Sequence, residues 1–162
     1  LKPGGVMSIA EPVYQDQALE TVATANFLRD QPNHPNWKRM ELLYRFRAAI
    51  FPSTELGVQQ MALTNFNERD LVAIARRAGF AELHMEFHLD FRADFNTSWD
   101  VFLDSAAYPG APSPREILQR LFTSDEAGQL EAEIRPRIER GELYMIGHMA
   151  YLTARKLKSQ AV

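Results

Sequence analysis

A carboxylate and a phenol stand where a buried strand is predicted to end and a helix to begin. Glu11 closes the apolar run Val6–Ala10 and precedes Pro12, and Tyr14 follows two residues later. Ligands of open α/β sheets bind outside the carboxyl ends of strands, so an acid here is placed to bind substrate or take a proton. Acids are also common in loops. We take Glu11 as a candidate catalytic residue and Tyr14 as a candidate substrate-binding residue.

A second pair of candidates lies on a predicted helix that Asn36 can cap and Pro52 ends. Tyr44 and Arg47 lie on it and are candidate substrate-binding residues, facing a pocket between this helix and the one before it. The alternative for the aromatic side chains is core packing. Basic residues of this helix and of later helical segments alternate with acids, which favours solvated helix faces.

Three histidines are candidates for metal binding or for catalysis. His84, Glu86 and His88 lie in a segment of strict alternation, 82–91, which predicts a strand with one wet face. On a strand the two histidines are roughly 13 Å apart at the backbone, too far to share one ion. A metal-dependent enzyme with His84 and Glu86 as two ligands is the alternative, but we favour a polar outer face of the sheet and predict no metal. His148 interrupts an apolar strand predicted over 143–152, where a hydrogen-bonded core histidine is favoured over a catalyst.

Composition and missing motifs exclude several function classes. The chain has 162 residues, no Cys and a net charge of −3, which fits one globular domain and excludes thiol catalysis and cysteine-bound zinc. A mildly acidic chain is a poor candidate for nucleic-acid binding, and no apolar run is long enough for a membrane span. We expect a cytoplasmic protein. Neither a dinucleotide fingerprint nor a P-loop nor a G-x-S-x-G elbow occurs.

The predicted elements alternate between strands and groups of helices. A short strand (6–10) leads into two amphipathic helices, Asn67 caps a helix that Gly79 ends, and the alternating strand 82–91 follows. Ser113 and Thr123 begin two further helices with capping-box sequences, the second interrupted by Pro136. The residues predict an α/β domain, 1–162, with helical excursions over 15–62 and 92–140.

Three segments together resemble class I S-adenosylmethionine-dependent methyltransferases. The turn L-K-P-G-G at 1–5 and the strand after it resemble that family's fifth strand; N-E-R-D-L-V-A-I-A-R-R-A-G-F at 67–80 resembles the helix that follows. The segment 142–156, ending A-Y-L-T-A-R-K, resembles the antiparallel seventh strand. The resemblance implies the C-terminal half of a Rossmann-like sheet of three strands, the last antiparallel between the other two, with helical caps as insertions.

The resemblance also implies an activity, the transfer of a methyl group from S-adenosylmethionine to a small-molecule acceptor. The family's glycine-rich cofactor loop would lie upstream of Leu1, so no cofactor-binding residue can be assigned, and we expect the chain alone to bind S-adenosylmethionine weakly or not at all. Expected partners are the acceptor and either an N-terminal half or an identical chain. The alternative is a non-catalytic interaction or dimerisation module that uses its amphipathic helices.

Overall fold

The computed structural model describes residues 1–92, 97–142 and 145–157, and its centre is a three-stranded sheet. The strands are β1 (Val6–Pro12), β2 (Glu82–Arg92) and β3 (Met145–Arg155). The order is β1-β3-β2, and β3 runs antiparallel to both neighbours. The chain is therefore an α/β protein with an open sheet, as expected. The strand predicted over 143–152 is present from Met145 and extends to Arg155, three residues beyond the predicted end, while 143 and 144 fall outside the described residues.

Helices fill the connections between the strands. In the described residues they are α1 (Gln15–Asp30), α2 (Trp37–Ala48), α3 (Glu55–Gln60), α4 (Glu68–Arg77), α5 (Trp99–Asp104), α6 (Pro114–Leu121) and α7 (Ser124–Glu139). None of these is long and apolar enough to cross a lipid bilayer.

The turn at the start of the chain ties β1 to the end of β3. Gly4 adopts a positive φ of 76°, which a residue with a Cβ adopts only at a cost. Its N–H donates to the Lys156 carbonyl over 3.1 Å, and the Gly5 N–H donates to the Lys2 carbonyl over 2.9 Å. The two glycines thus set the register in which β1 meets the central strand.

One face of the sheet is covered by α4. Asn67 caps this helix with a full capping box, accepting from the N–H groups of Arg69 and Asp70, as the sequence predicts. Ala75 of α4 packs with Phe80 against the buried side chains of Leu152 and Ala154 on β3. The core of the sheet therefore sits where its central strand meets α4.

The apolar side of β2 is covered only in its first half. Leu83 and Met85 pack on the α4 core, but Phe87 and Leu89 are 39% and 49% exposed. The prediction of a strand with one wet face is correct for 82–86 and wrong further along, because α4 does not reach the later residues. The strand leaves an apolar patch of two side chains beside the central strand.

The first excursion, 15–62, holds α1, α2 and α3. Ala18 and Val22 of α1 pack against Val58 of α3 in a buried cluster. Asn36 precedes α2 as predicted, but its side chain makes no capping hydrogen bond. Helix α3 was not anticipated from the sequence, although Thr54 caps it by accepting from the Gly57 N–H.

The second excursion, 92–140, holds α5, α6 and α7, while residues 93–96 lie outside the described part. Both predicted capping boxes are present, at Ser113 and at Thr123. Pro136 lies inside α7, and α5 was missed although Ser98 caps it. These helices bury a separate apolar cluster around Trp99.

Two arginines of α2 bind the second excursion. Arg39 donates to Glu133 of α7 over 2.6 Å, and Arg45 donates to Glu126 over 2.7 Å and to the Leu121 carbonyl. The Arg45 guanidinium also lies 4.5 Å above the Phe122 ring. The interpretation of these basic residues as solvated helix faces is wrong for Arg45, which is 31% exposed and bridges helices that are distant in sequence. Arg39 forms a similar bridge, but its side chain is 55% exposed.

This bridge predicts a loss of stability in acid. Hydrogen bonds from Arg45, and next the Thr123 N–H, lower the pKa of Glu126 from 4.5 to about 2. A depressed carboxyl pKa stabilises the fold above the unfolded value, and that contribution is lost as the pH falls from about 4.5 towards 2. We expect Glu126→Gln to lower the urea midpoint at neutral pH, and the difference from the wild type to shrink as the pH falls from about 4.5 towards 2. A difference between the two proteins that persists unchanged at pH 2 contradicts the assignment.

Two glycines predict opposite effects of the same substitution. A Cβ added at Gly79 or at Gly128 meets nothing within 4 Å, but Gly79 has a φ of +79° whereas Gly128 is helical. We expect Gly79→Ala to destabilise the protein by about 1 kcal/mol, since an L-residue is strained at positive φ. Gly128→Ala should stabilise it by about 0.5–1 kcal/mol because alanine favours the helix. Urea unfolding measures both, and a shared sign would contradict the backbone argument.

Candidate functional site

Glu11 lies at the carboxyl end of β1 on the face that α4 covers further back. It shares that face with Met7 and Ile9, and across the sheet it pairs with Ala150, which is fully buried. Glu11 itself is half-buried. The sequence prediction of an acid at the carboxyl end of a strand is therefore matched by its position, while its role stays a prediction.

Tyr14 is part of an aromatic cluster that extends from the end of β1 into both excursions. Its ring centroid is 5.5 Å from that of Tyr108 and 6.0 Å from that of Phe51. Burial, and secondarily the charge of Glu11, raises the pKa of Tyr14. The Tyr108 hydroxyl donates to the Ile50 carbonyl over 2.8 Å. This aromatic cluster of Tyr14, Phe51 and Tyr108 therefore forms one wall beside Glu11.

The other two candidates lie apart from this wall. Arg47 donates to the Gln17 carbonyl over 3.1 Å and to the Glu20 carboxylate over 2.8 Å, so it ties α2 to α1. Tyr44 is half-buried on α2 and makes no hydrogen bond or ring contact with the described residues. The structure gives Arg47 a tethering contact, and it does not bring Tyr44 into the aromatic cluster.

Two buried polar atoms, one on the first turn of α1 and one on β3, lack a hydrogen-bond partner. The Gln17 Oε1 atom and the His148 Nδ1 atom are both sealed from solvent without a hydrogen-bond partner. The nearest charge to that ring nitrogen is the Asp16 Oδ2 atom at 3.2 Å, in a geometry that does not align as a hydrogen bond. The expectation of a hydrogen-bonded core histidine is therefore wrong for His148: the side chain is nine-tenths buried, but its Nδ1 atom is unpaired.

His84, Glu86 and His88 meet on the opposite, exposed face of the sheet. Both histidine Nε2 atoms approach the Glu86 carboxylate, at 3.1 and 3.3 Å, and these hydrogen bonds, first that of His84, lower the pKa of Glu86. The distance between the backbones of His84 and His88 does not keep their rings apart, because both side chains turn towards the Glu86 carboxylate that lies between them. Among the described residues, no group of three or more histidine, aspartate or glutamate side chains is arranged so that it could hold a metal ion.

Two clefts lie among the helices rather than at the end of β1. One, of about 350 Å³, opens between α2 and α7 and is lined by Lys38, Arg39 and Glu133. The other, of about 150 Å³, lies beside α6 at Ile117 and Arg120. None of the predicted site residues lines either cleft. We base the candidate site on the polar groups at the end of β1, because both clefts are shallow and the charges of the larger one are already paired.

The described residues do not fit S-adenosylmethionine on their own. A phosphate- or cofactor-binding loop needs glycines at the carboxyl end of a strand, where the backbone can approach the ligand closely. The described glycines with positive φ precede strands or lie in a distant loop: Gly4, Gly79, Gly110 and Gly141. In the described residues, the end of β1 therefore offers no glycine loop of the kind that binds a phosphate or a cofactor.

Comparisons with protein-family models, with curated proteins and with solved structures give no significant match. The assignment of a function therefore depends on the sheet and on the groups at its edge.

Proposed function

We propose that this chain forms the acceptor-binding half of a cytoplasmic methyltransferase that uses S-adenosylmethionine to methylate a small molecule. The observation that carries the proposal is the sheet. A strand entered from an L-K-P-G-G turn is followed by a helix with A-G-F directly after it, by a strand parallel to the first and by a final antiparallel strand between the two. In this proposal the chain completes a Rossmann-like sheet.

The free edge of β1 supports the need for a second half. Outward-pointing backbone groups of β1 have no strand beside them in the described residues, and Val6 on this strand is 49% exposed. An unpaired edge of this kind readily accepts another strand. The N-terminal half would pair there and supply the cofactor-binding loop that the described residues lack.

The groups at the end of β1 suit the acceptor. Glu11 offers a carboxylate and Tyr14 a partly buried hydroxyl, and the aromatic cluster gives a flat apolar wall on which an acceptor can be held. Methyl transfer depends largely on holding the two reactants in line, so residues that fix the acceptor control the rate.

The test uses the chain extended upstream to include the proposed cofactor-binding half. We expect Glu11→Gln to lower kcat/KM for the acceptor by about 10- to 10²-fold, because a hydrogen bond to a charged group contributes about 1.5–3 kcal/mol to holding it, and Tyr14→Phe to raise KM for the acceptor. Glu55→Gln, which changes an exposed acid on α3, is the matched control. Unchanged kinetics in both variants would remove Glu11 and Tyr14 from the site.

The exposed apolar side chains favour a second candidate, an interaction module. Leu56, Val101 and Ile74 are 62%, 55% and 48% exposed on three separate helices. A module of this kind would bury such faces on a partner or on an identical chain. Light scattering on the purified chain tests it, since a stable dimer with no affinity for S-adenosylhomocysteine in any extended form would favour this candidate over the methyltransferase.

A further inference from the structure

His148 lies where β3 passes the start of α1, close to the site but outside the set of residues that the sequence suggested. The Val13 N–H donates to the His148 carbonyl over 3.0 Å, which fixes the backbone of β3 against the segment that joins Glu11 to Tyr14. The His148 side chain is 10% exposed. Burying a polar ring without hydrogen bonds costs stability, so its position at the edge of the proposed acceptor site points to a functional role.

The two nitrogens of this ring differ. Nδ1 is sealed from solvent and lies 3.2 Å from Asp16 Oδ2. Nε2 has no hydrogen-bond partner among the described residues, and it is not among the unpaired atoms that are sealed from solvent. A carboxylate beside Nδ1 favours the tautomer with its proton on Nδ1, which leaves the lone pair on Nε2 free to accept a proton.

Asp16 is suited to this positioning role. It lies in the first turn of α1, where the helix dipole stabilises a negative charge, and it is 60% exposed, so its side chain can turn to align with the ring. Hydrogen bonds of catalytic groups are often poorly aligned until a ligand binds. Since Asp16 Oδ2 already lies 3.2 Å from His148 Nδ1, a rotation of the Asp16 side chain is enough to align a hydrogen bond between them.

The surroundings of Nε2 indicate what would bind. The Phe87 ring meets the His148 ring edge-on at 6.0 Å, and Leu89 is the cross-strand neighbour of His148 on β2. Both apolar side chains are substantially exposed. A proton-accepting nitrogen beside an uncovered apolar patch fits a ligand with an apolar body and an O–H or N–H group.

We propose that His148, positioned by Asp16, accepts at Nε2 the proton of the acceptor's hydroxyl or amine. This inference rests on the proposed function and assigns a base to its acceptor site. The acceptor's O–H bond, or an N–H bond of its protonated amine, breaks, the proton binds Nε2, and the electron pair stays on the acceptor atom. That pair would attack the methyl group of a sulfonium donor held by the second half, where the methyl–sulfur bond would break and leave a neutral thioether. The imidazolium then returns the proton to solvent.

The first test is the tautomer of His148 in the chain itself, read by long-range ¹H–¹⁵N NMR above the histidine pKa. We expect the proton on Nδ1 in the wild type and a shift towards the Nε2–H tautomer in Asp16→Asn. Asp125→Asn, which removes an acid from the first turn of α7, should leave the signal unchanged. A wild-type ring protonated on Nε2, or a tautomer that ignores Asp16→Asn, overturns the proposal.

The second test measures turnover in the upstream-extended protein. We expect His148→Ala to lower kcat by at least about 10²-fold, with partial rescue by added imidazole, and Asp16→Asn to lower it less. A structural role alone predicts no rescue. Unchanged turnover in a protein that does transfer methyl groups overturns the base while the proposed function stands. Failure of that protein to bind S-adenosylhomocysteine instead removes the proposed function, and the tautomer still reports on the Asp16–His148 pair.

Discussion

Replacing Leu152 with alanine should destabilise the protein by about 2–5 kcal/mol, because a large buried side chain leaves a cavity in the middle of the sheet. Leu152 is 1% exposed on the central strand and packs between both neighbouring strands and α4. Urea unfolding followed by circular dichroism measures the change. Leu56→Ala, at a position 62% exposed, is the matched control and should cost less than about 0.5 kcal/mol. Equal losses in the two variants would contradict the placement of the core.

Replacing Trp99 with alanine should destabilise the protein by about 3–5 kcal/mol, because it leaves a cavity in the apolar cluster of the second excursion. Trp99 is 7% exposed, stacks on Phe102 with ring centroids 5.3 Å apart, and packs with Ile138 of α7. Thermal unfolding followed by calorimetry is the measurement. Val101→Ala on the outer side of α5 is the control, with an expected change within about 0.5 kcal/mol. A loss below about 1 kcal/mol for Trp99→Ala would contradict the packing of α5 on α7.

Elements with strong local signals could be predicted from the sequence. The capping boxes at Asn67, Ser113 and Thr123 begin helices as expected, since a side chain that satisfies free N–H groups acts within one turn. Strict alternation also predicts β2. The short helices α3 and α5 were missed because six residues carry too little periodicity, although Thr54 and Ser98 were readable as caps.

The candidate site was only partly predictable, because most of it is assembled by tertiary packing. Glu11 and Tyr14 follow from the end of a strand, a local signal. Tyr108 reaches Tyr14 from a loop almost a hundred residues away, and His148 meets Asp16 only when β3 enters the sheet beside β1. Nothing in the sequence near these residues marks the contact.

The exposed second half of β2 shows another limit of prediction from the sequence. Alternation predicts which side chains share a face, but it does not say how far a neighbouring helix extends over that face. Phe87 and Leu89 stay exposed because α4 covers only the first half of the strand. In our proposal, this apolar patch contacts the apolar body of the ligand beside His148.

The central claim, that this chain is the acceptor-binding half of a methyltransferase, is tested most directly by titrating S-adenosylhomocysteine into two proteins by calorimetry. One is the chain of residues 1–162, and the other is the chain extended upstream to include the proposed cofactor-binding half. We expect binding by the extended protein and little or none by the shorter chain, because the described residues hold no glycine loop at the carboxyl end of a strand. Binding by neither protein would contradict the methyltransferase proposal and favour the interaction module.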